Sequence, residues 1–275
     1  MKVTEECIHC YLKQALSAMR AAKIDRSRMP GILFRLMEII PQMYLTANPA
    51  ENSTIVLHET CRLMGIADPY FEDKKRSNDF ALGLYGSLKE MVVKADDRLL
   101  MAFKISAAGN IIDMGITPDF DINVALGEIT SKEFDICDYD GFRRALENGR
   151  KDMSILLLGD NCGEIVFDRI LAEELVGIGY DVTYAVKERP ILNDATLEDA
   201  VETGMAAVVR VISTGSGFLG ATPGRCSAGF IKEYEKSEIV VAKGQANFES
   251  LEGSDLAGNK TWFVLRIKCP EVAAR

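Results

Sequence analysis

Five short apolar runs in the second half of the chain, at 154–158, 181–186, 206–212, 238–242 and 261–267, constrain the fold more than any other feature. Each is rich in Val, Ile or Leu, and each is too short for a helix that buries itself on all sides. Between them lie helix-like segments at 164–176, 196–203 and 225–235, and a short turn at 248–251. Continuous apolar strands alternating with helices imply a parallel sheet covered on both faces. The expectation is a three-layer, doubly wound, mainly parallel α/β unit. The preceding residues read instead as helices, at 5–22, 30–44, 53–64, 71–94 and 96–108, with Pro30 at a first-turn position. The organisation expected is an N-terminal helical domain, 1–105, followed by an α/β domain, 106–275, with the boundary between 105 and 150 in a transition rich in Asp and Gly.

A chain of 275 residues that is 48% hydrophobic and 27% charged has enough apolar material for one large unit or two interlocked ones. Its net charge of −9, with no block of Lys or Arg, argues against nucleic acid as a partner. No apolar run approaches the roughly 18 residues of a membrane span, and residues 1–10 mix charges with cysteines, which predicts a cytoplasmic protein. Seven cysteines are an odd number, so reduced thiols are expected rather than a disulfide framework. With His9 and His58 as the only histidines, neither a His-based triad nor a two-His metal site is easily built. No residue argues for a particular oligomeric state.

In open α/β sheets ligands bind beyond the carboxyl ends of the strands. Here those positions hold Gly159-Asp160-Asn161-Cys162-Gly163-Glu164, Lys187 to Asp194, Ser213-Thr214-Gly215-Ser216-Gly217 and Lys243-Gly244-Gln245-Ala246-Asn247. Asp160 and Asn161 sit where a strand gives way to a helix, and Asp194 offers a second carboxylate from the next loop. Two carboxylates and an amide oxygen form a hard, oxygen-only donor set suited to Mg²⁺ or Mn²⁺. The competing reading is that these three residues cap the helices that follow. Lys243 next to Gly244 offers a point charge for a phosphate, and Ser213, Thr214, Gly215 and Ser216 have the composition of an anion nest. A metal, a lysine and an anion nest together suggest phosphate-ester hydrolysis. An aspartyl-phosphate route would want a second acid two residues after Asp160, where Cys162 stands.

The stretches Gly159 to Asp168, Asn193-Asp194-Ala195-Thr196 and Lys243 to Glu249, together with Ala107-Ala108-Gly109-Asn110, closely resemble the metal-dependent damage-control phosphatases, formerly domain of unknown function 89. The Cys7/Cys10 pair makes the chain similar to their stand-alone, largely prokaryotic branch. The resemblance implies that Asp160, Asn161 and Asp194 hold a divalent metal (Mn²⁺, Mg²⁺, Co²⁺ or Ni²⁺) and that Lys243 contacts the substrate phosphate. It also implies that Asn110, Glu164 and Asn247 are pocket residues, and that the substrate is a small phosphorylated metabolite, damaged or a side product.

Two rival functions remain. The same loops can hold a phosphometabolite without turning it over, or Cys7 and Cys10, spaced as C-x-x-C, can serve a zinc or redox sensor, with Cys61, Cys137 or Cys226 as a distant third ligand and His9 as a fourth. His58 reads as a surface or core histidine. Lys74-Lys75-Arg76 reads as a solvated helix face, or as a border of the pocket.

Overall fold

A computed structural model describes residues 1–43, 47–109, 127, 131, 133–150 and 152–275 of the chain. The sheet comprises β1 (Ser154–Leu158), β2 (Asp181–Val186), β3 (Arg210–Ser213), β4 (Ile239–Lys243) and β5 (Thr261–Val264) in the order β3-β2-β1-β4-β5, with every pairing parallel. The chain runs outward from β1 in one direction and then returns to β4 on its other side. The crevice between the carboxyl ends of β1 and β4 is therefore the topological switch point.

The strands are apolar on both faces because helices cover both. Ile155, Leu157, Val182, Tyr184, Ile239 and Val241 face a layer formed by α4 (Phe71–Lys94), α5 (Arg98–Ala107), α6 (Tyr139–Asn148) and α7 (Glu164–Ile178). Their sequence neighbours Leu156, Leu158, Ala185, Val240 and Ala242 point the other way, against Phe230 and Tyr234 of α9 (Ala228–Lys236) and Leu251 of α10 (Gln245–Leu251). This two-residue alternation is the strand period at work. The short α8 (Leu197–Glu202) precedes β3, and α11 (Pro270–Ala273) follows β5.

The N-terminal helices divide between two cores. α4 and α5 share the core of the sheet. α1 (Glu5–Ala21), α2 (Met29–Ile39) and α3 (Pro49–Met64) form a separate apolar cluster, joined by Ile191 from beyond β2 and Leu219 from beyond β3. The three helices are thereby seated over the carboxyl rim of the sheet. Asn48 caps α3 by accepting from Glu51 N at 2.9 Å, and Asp97 caps α5 by accepting from Leu100 N at 3.0 Å.

Several boundaries differ from those read in the sequence. The helix expected over 30–44 ends at Ile39, and a single 3₁₀ turn at Ile40–Gln42 follows, because Pro41 cannot donate to the helical ladder. The strand expected at 206–212 is Arg210–Ser213; Met205–Ala207 form a 3₁₀ turn, and Met205 and Val209 pack into the core instead of pairing. The last strand stops at Val264, which frees 265–268 to fold over the switch point. α6 was absent from the sequence reading, although Phe142 and Leu146, one turn apart, bury its inner face, with Phe142 edge-on to Trp262. Among the described residues no helix is long and apolar enough to cross a membrane.

Leu157 is 1% exposed in the central strand, so Leu157→Ala should cost about 3 kcal/mol of stability and lower the denaturant midpoint without changing the slope of the transition.

Candidate active site

The β1–α7 turn and the loop after β2 are zipped together by their backbones. Ala195 N donates to Asp160 O at 2.8 Å, Cys162 N to Asn193 O at 2.8 Å and Lys187 N to Ala195 O at 2.9 Å. These bonds bring Asp160 and Asn161 alongside Asp194, with Asn161 and Asp194 in an isolated antiparallel bridge. Asn78 on α4 fixes the start of α7 by accepting from Gly163 N at 2.7 Å, while its amide donates to Asp199 at 3.0 Å. None of the three candidates serves as a helix cap. α7 begins at Gly163 without a side-chain cap, and α8 is capped by Thr196 and Asp199 in a capping box.

The released polar atoms face one another. Asn161 Nδ2 donates to Asp160 Oδ2 at 3.1 Å and Glu164 Oε1 at 3.4 Å. Asp194 is 2% exposed, and its Oδ2 lies 3.6 Å from Lys187 Nζ with no hydrogen-bond partner among the described residues. Burial and the neighbouring Asp194 charge push the Asp160 carboxyl up to about 7. Burial pushes Glu164 up to about 7 against the pull of Lys243, and Asp194 up to about 6 against the pull of Lys187. A crowd of carboxyls, Asp194 buried and Asp160 and Glu164 half-buried, with an orphaned oxygen is a site short of positive charge. The donor set of Asp160, Asp194 and the Asn161 amide oxygen fits a hard divalent cation completed by water. Among the described residues no three His, Cys, Asp or Glu side chains stand together as a fully protein-made ligand set.

Strand β4 reaches this point because residue 244 is glycine. A Cβ there would lie 1.9 Å from Asp160 Oδ2, and the backbone has φ +78°, a conformation that side chains disfavour. Immediately before it, Lys243 is buried, with Nζ donating to Asp168 Oδ1 at 2.6 Å and to the Ser106 carbonyl at 2.8 Å, and 3.8 Å from Glu164 Oε2. Burial works against its charge, but Asp168 and Glu164 outweigh it and hold the ammonium above its ordinary pKa.

Above these groups is a cavity of about 210 Å³ walled by Asp160, Asn161, Glu164 and Asp194 and roofed by Gln14 of α1, Ser53 of α3 and Gln245 and Glu249 of α10. A narrower recess of about 30 Å³ shares Asp160 and Glu164 with it and extends to Lys243, Arg266 and Lys268.

Residues 3–275 match the family described as the damage-control phosphatase ARMT1-like domain. The chain belongs to this family. It is 34% identical to an uncharacterized protein of Methanocaldococcus jannaschii, over 99% of this chain and 91% of that one. It is 31% identical to a damage-control phosphatase of Pyrococcus horikoshii, over 99% and 93% of the two chains. The crystal structure of a DUF89 family protein from Pyrococcus horikoshii superposes with a TM-score of 0.89 at 29% identity, covering 100% of this chain and 94% of that one.

Within this family fold, Asp160, Asn161, Asp194, Glu164 and Lys243 gather at one cavity, but the remaining sequence candidates do not. Asn247 lines neither part of it; its amide donates to Lys243 O at 2.7 Å and Gly159 O at 3.2 Å, tying the ends of β4 and β1 together. Ser213, Thr214, Gly215 and Ser216 follow the edge strand β3, two strands from the switch point, and are absent from the cavity wall. Their donors are spent locally: Gly215 N bonds Ser213 Oγ at 2.8 Å, Thr214 N bonds Val186 O at 2.8 Å and Ser213 Oγ bonds Glu188. Gly215 N, Thr214 N and the Ser213 hydroxyl thus already have partners within the protein. Asn110 lies outside the described residues.

Lys74 is not part of a solvated face; it is 5% exposed and paired with Asp68 at 3.0 Å and Asp199 at 3.8 Å, whereas Arg76 is exposed. His58 is exposed, with Nε2 bonded to Gly217 O at 3.0 Å. Cys7 and Cys10 are free thiols, and desolvation, then the neighbouring Cys7, holds the Cys10 thiol above its ordinary pKa. The sequence reading gave no role to Asp168, Lys187, Glu249 or Lys268. Asp168 alone carried a readable signal, standing four residues after Glu164 on the same helix face.

Gly244→Ala should weaken Mn²⁺ binding by at least about tenfold in a calorimetric titration, whereas Gly224→Ala, where an added Cβ meets nothing within 4 Å, should leave it unchanged.

Proposed function

We propose that the chain is a divalent-metal-dependent phosphatase that hydrolyses the phosphomonoester of a small metabolite, with Mn²⁺, Mg²⁺, Co²⁺ or Ni²⁺ held by Asp160, Asn161 and Asp194. Family membership supports a phosphatase, and homologous chains bear that name. The observation that carries the metal is the buried Asp194 Oδ2 without a hydrogen bond, set among carboxyls that burial drives toward protonation. When bound, such a cation supplies Lewis acidity toward a phosphoryl oxygen and lowers the pKa of a coordinated water.

The chain's own residues supply the rest. Lys243 presents a fixed positive charge in the recess beside Asp160, where a phosphoryl group in contact with both would lie. Asn161 holds Asp160 and Glu164 in place through its amide nitrogen. Lys187, donating to Gly220 O at 2.6 Å, holds its charge near Asp194 and offsets part of the carboxylate repulsion. The reading of Asp160 as a ligand is supported over that of a covalent nucleophile by the buried thiol Cys162 two residues on, where an aspartyl-phosphate route would want a second acid. The leaving group would occupy the roofed cavity, whose volume of about 210 Å³ admits a small metabolite and excludes a polymer.

In a phosphate-release assay on chelator-stripped protein with each cation added back, Asp160→Asn and Asp194→Asn should each lose at least about a hundredfold in metal-stimulated turnover. Ser213→Ala and Ser216→Ala should stay within about twofold of the parent. Full activity in both aspartate variants would overturn the metal assignment. Tight phosphometabolite binding without release under any cation would establish a binding protein instead.

A further inference from the structure

Lys243 needs an explanation that its charge alone does not provide. A lysine ammonium is a point charge on a flexible stem with three rotatable donors, and this one stands among carboxylates that would each accept it. Left to itself it would swing onto Glu164 or Asp160, the groups that border the candidate metal position. In the structure it does not. Its Nζ is 2.6 Å from Asp168 Oδ1 and 2.8 Å from the Ser106 carbonyl, but 3.8 Å from Glu164 Oε2.

We infer that Asp168, braced by Tyr184 and Ser106, is a positioning residue that pins the Lys243 ammonium away from Glu164 and Asp160 and leaves one N–H for the substrate phosphate. This rests on the phosphatase reading only in naming that phosphate as substrate. Asp168 is 1% exposed and does not line the cavity. Its oxygens are committed: Oδ1 also accepts from Ser106 Oγ at 2.6 Å, and Oδ2 accepts from Tyr184 OH at 2.8 Å. The brace draws on four elements, since Ser106 ends α5, Asp168 lies on α7, Tyr184 on β2 and Lys243 on β4. Gly159 makes room for it, because a Cβ there would lie 2.4 Å from the Tyr184 hydroxyl. With two donors consumed by fixed acceptors, Lys243 is oriented before a ligand arrives, so a bound phosphate need not pay for ordering it.

The test measures inorganic phosphate binding to Mn²⁺-loaded protein by calorimetry, and phosphate release from an ester panel, for the parent, K243M, D168N, the double variant D168N/K243M and Y184F, with melting curves for each. K243M and D168N should each weaken phosphate binding by about tenfold, and Y184F by about threefold. The double variant should bind no more weakly than K243M alone, because Asp168 acts only through the lysine. A folded D168N that binds phosphate like the parent, or losses that multiply in the double variant, would overturn the inference. If D168N does not fold, Y184F decides, and parent-like phosphate affinity in it counts against the brace. A parent protein that binds phosphate but releases none from any ester would sink the phosphatase reading while leaving the brace intact. A parent that fails to bind phosphate at millimolar concentration would overturn both.

Discussion

Crowded like charge governs this molecule's candidate site. Asp160, Glu164 and Asp194 meet beneath the carboxyl ends of β1 and β2, and burial with mutual repulsion drives all three toward protonation. Two buried lysines, Lys187 and Lys243, answer from the ends of β2 and β4. Each of these lysines is also tethered to a backbone carbonyl, Gly220 O and Ser106 O respectively, so the cations are fixed and not merely nearby. Such an arrangement costs folding free energy that a purely apolar rim would not, and local departures of this kind concentrate at functional sites.

The surroundings make the arrangement tolerable. Backbone bonds from Ala195 and Cys162 lock the two loops edge to edge, Asn78 holds the start of α7 and Asn247 ties the ends of β1 and β4. Helices α1 to α3 bury their own apolar cluster partly against Ile191 and Leu219 of the rim loops, which places Gln14 and Ser53 over the carboxylates. The roof therefore belongs to the site as much as the sheet does. A chain lacking these helices would leave the carboxyls in water, where their pKa values would fall and the fixed lysines would lose most of their electrostatic leverage.

Some of the site was legible from residue type and place. Asp160, Asn161 and Asp194 were readable because strand ends at a switch point collect ligands, and the alternative of helix capping failed once Gly163, Thr196 and Asp199 were found at the helix starts. The Ser213–Ser216 run lies apart from these residues, because composition describes what a turn can bind but not which strand it follows, and β3 lies at the sheet edge. Asn247 sits in the matching motif, and its amide nitrogen bonds the backbone at the ends of β1 and β4. Lys74 looked solvated from its charged neighbours, but the fold turns it inward to Asp68 and Asp199.

The sequence by itself determined the parallel α/β architecture, since uninterrupted apolar strands demand cover on both faces, and it singled out the loops after β1, β2 and β4 as the source of residues at the rim. Tertiary structure decided the strand order, the roof, and the partnership of Asp168 with Lys243, 75 residues away in the chain. The reason is physical: periodicity reports which face of an element is buried, but a hydrogen bond between a helix and a distant strand depends on how the two are packed, and that is fixed only when the whole core closes.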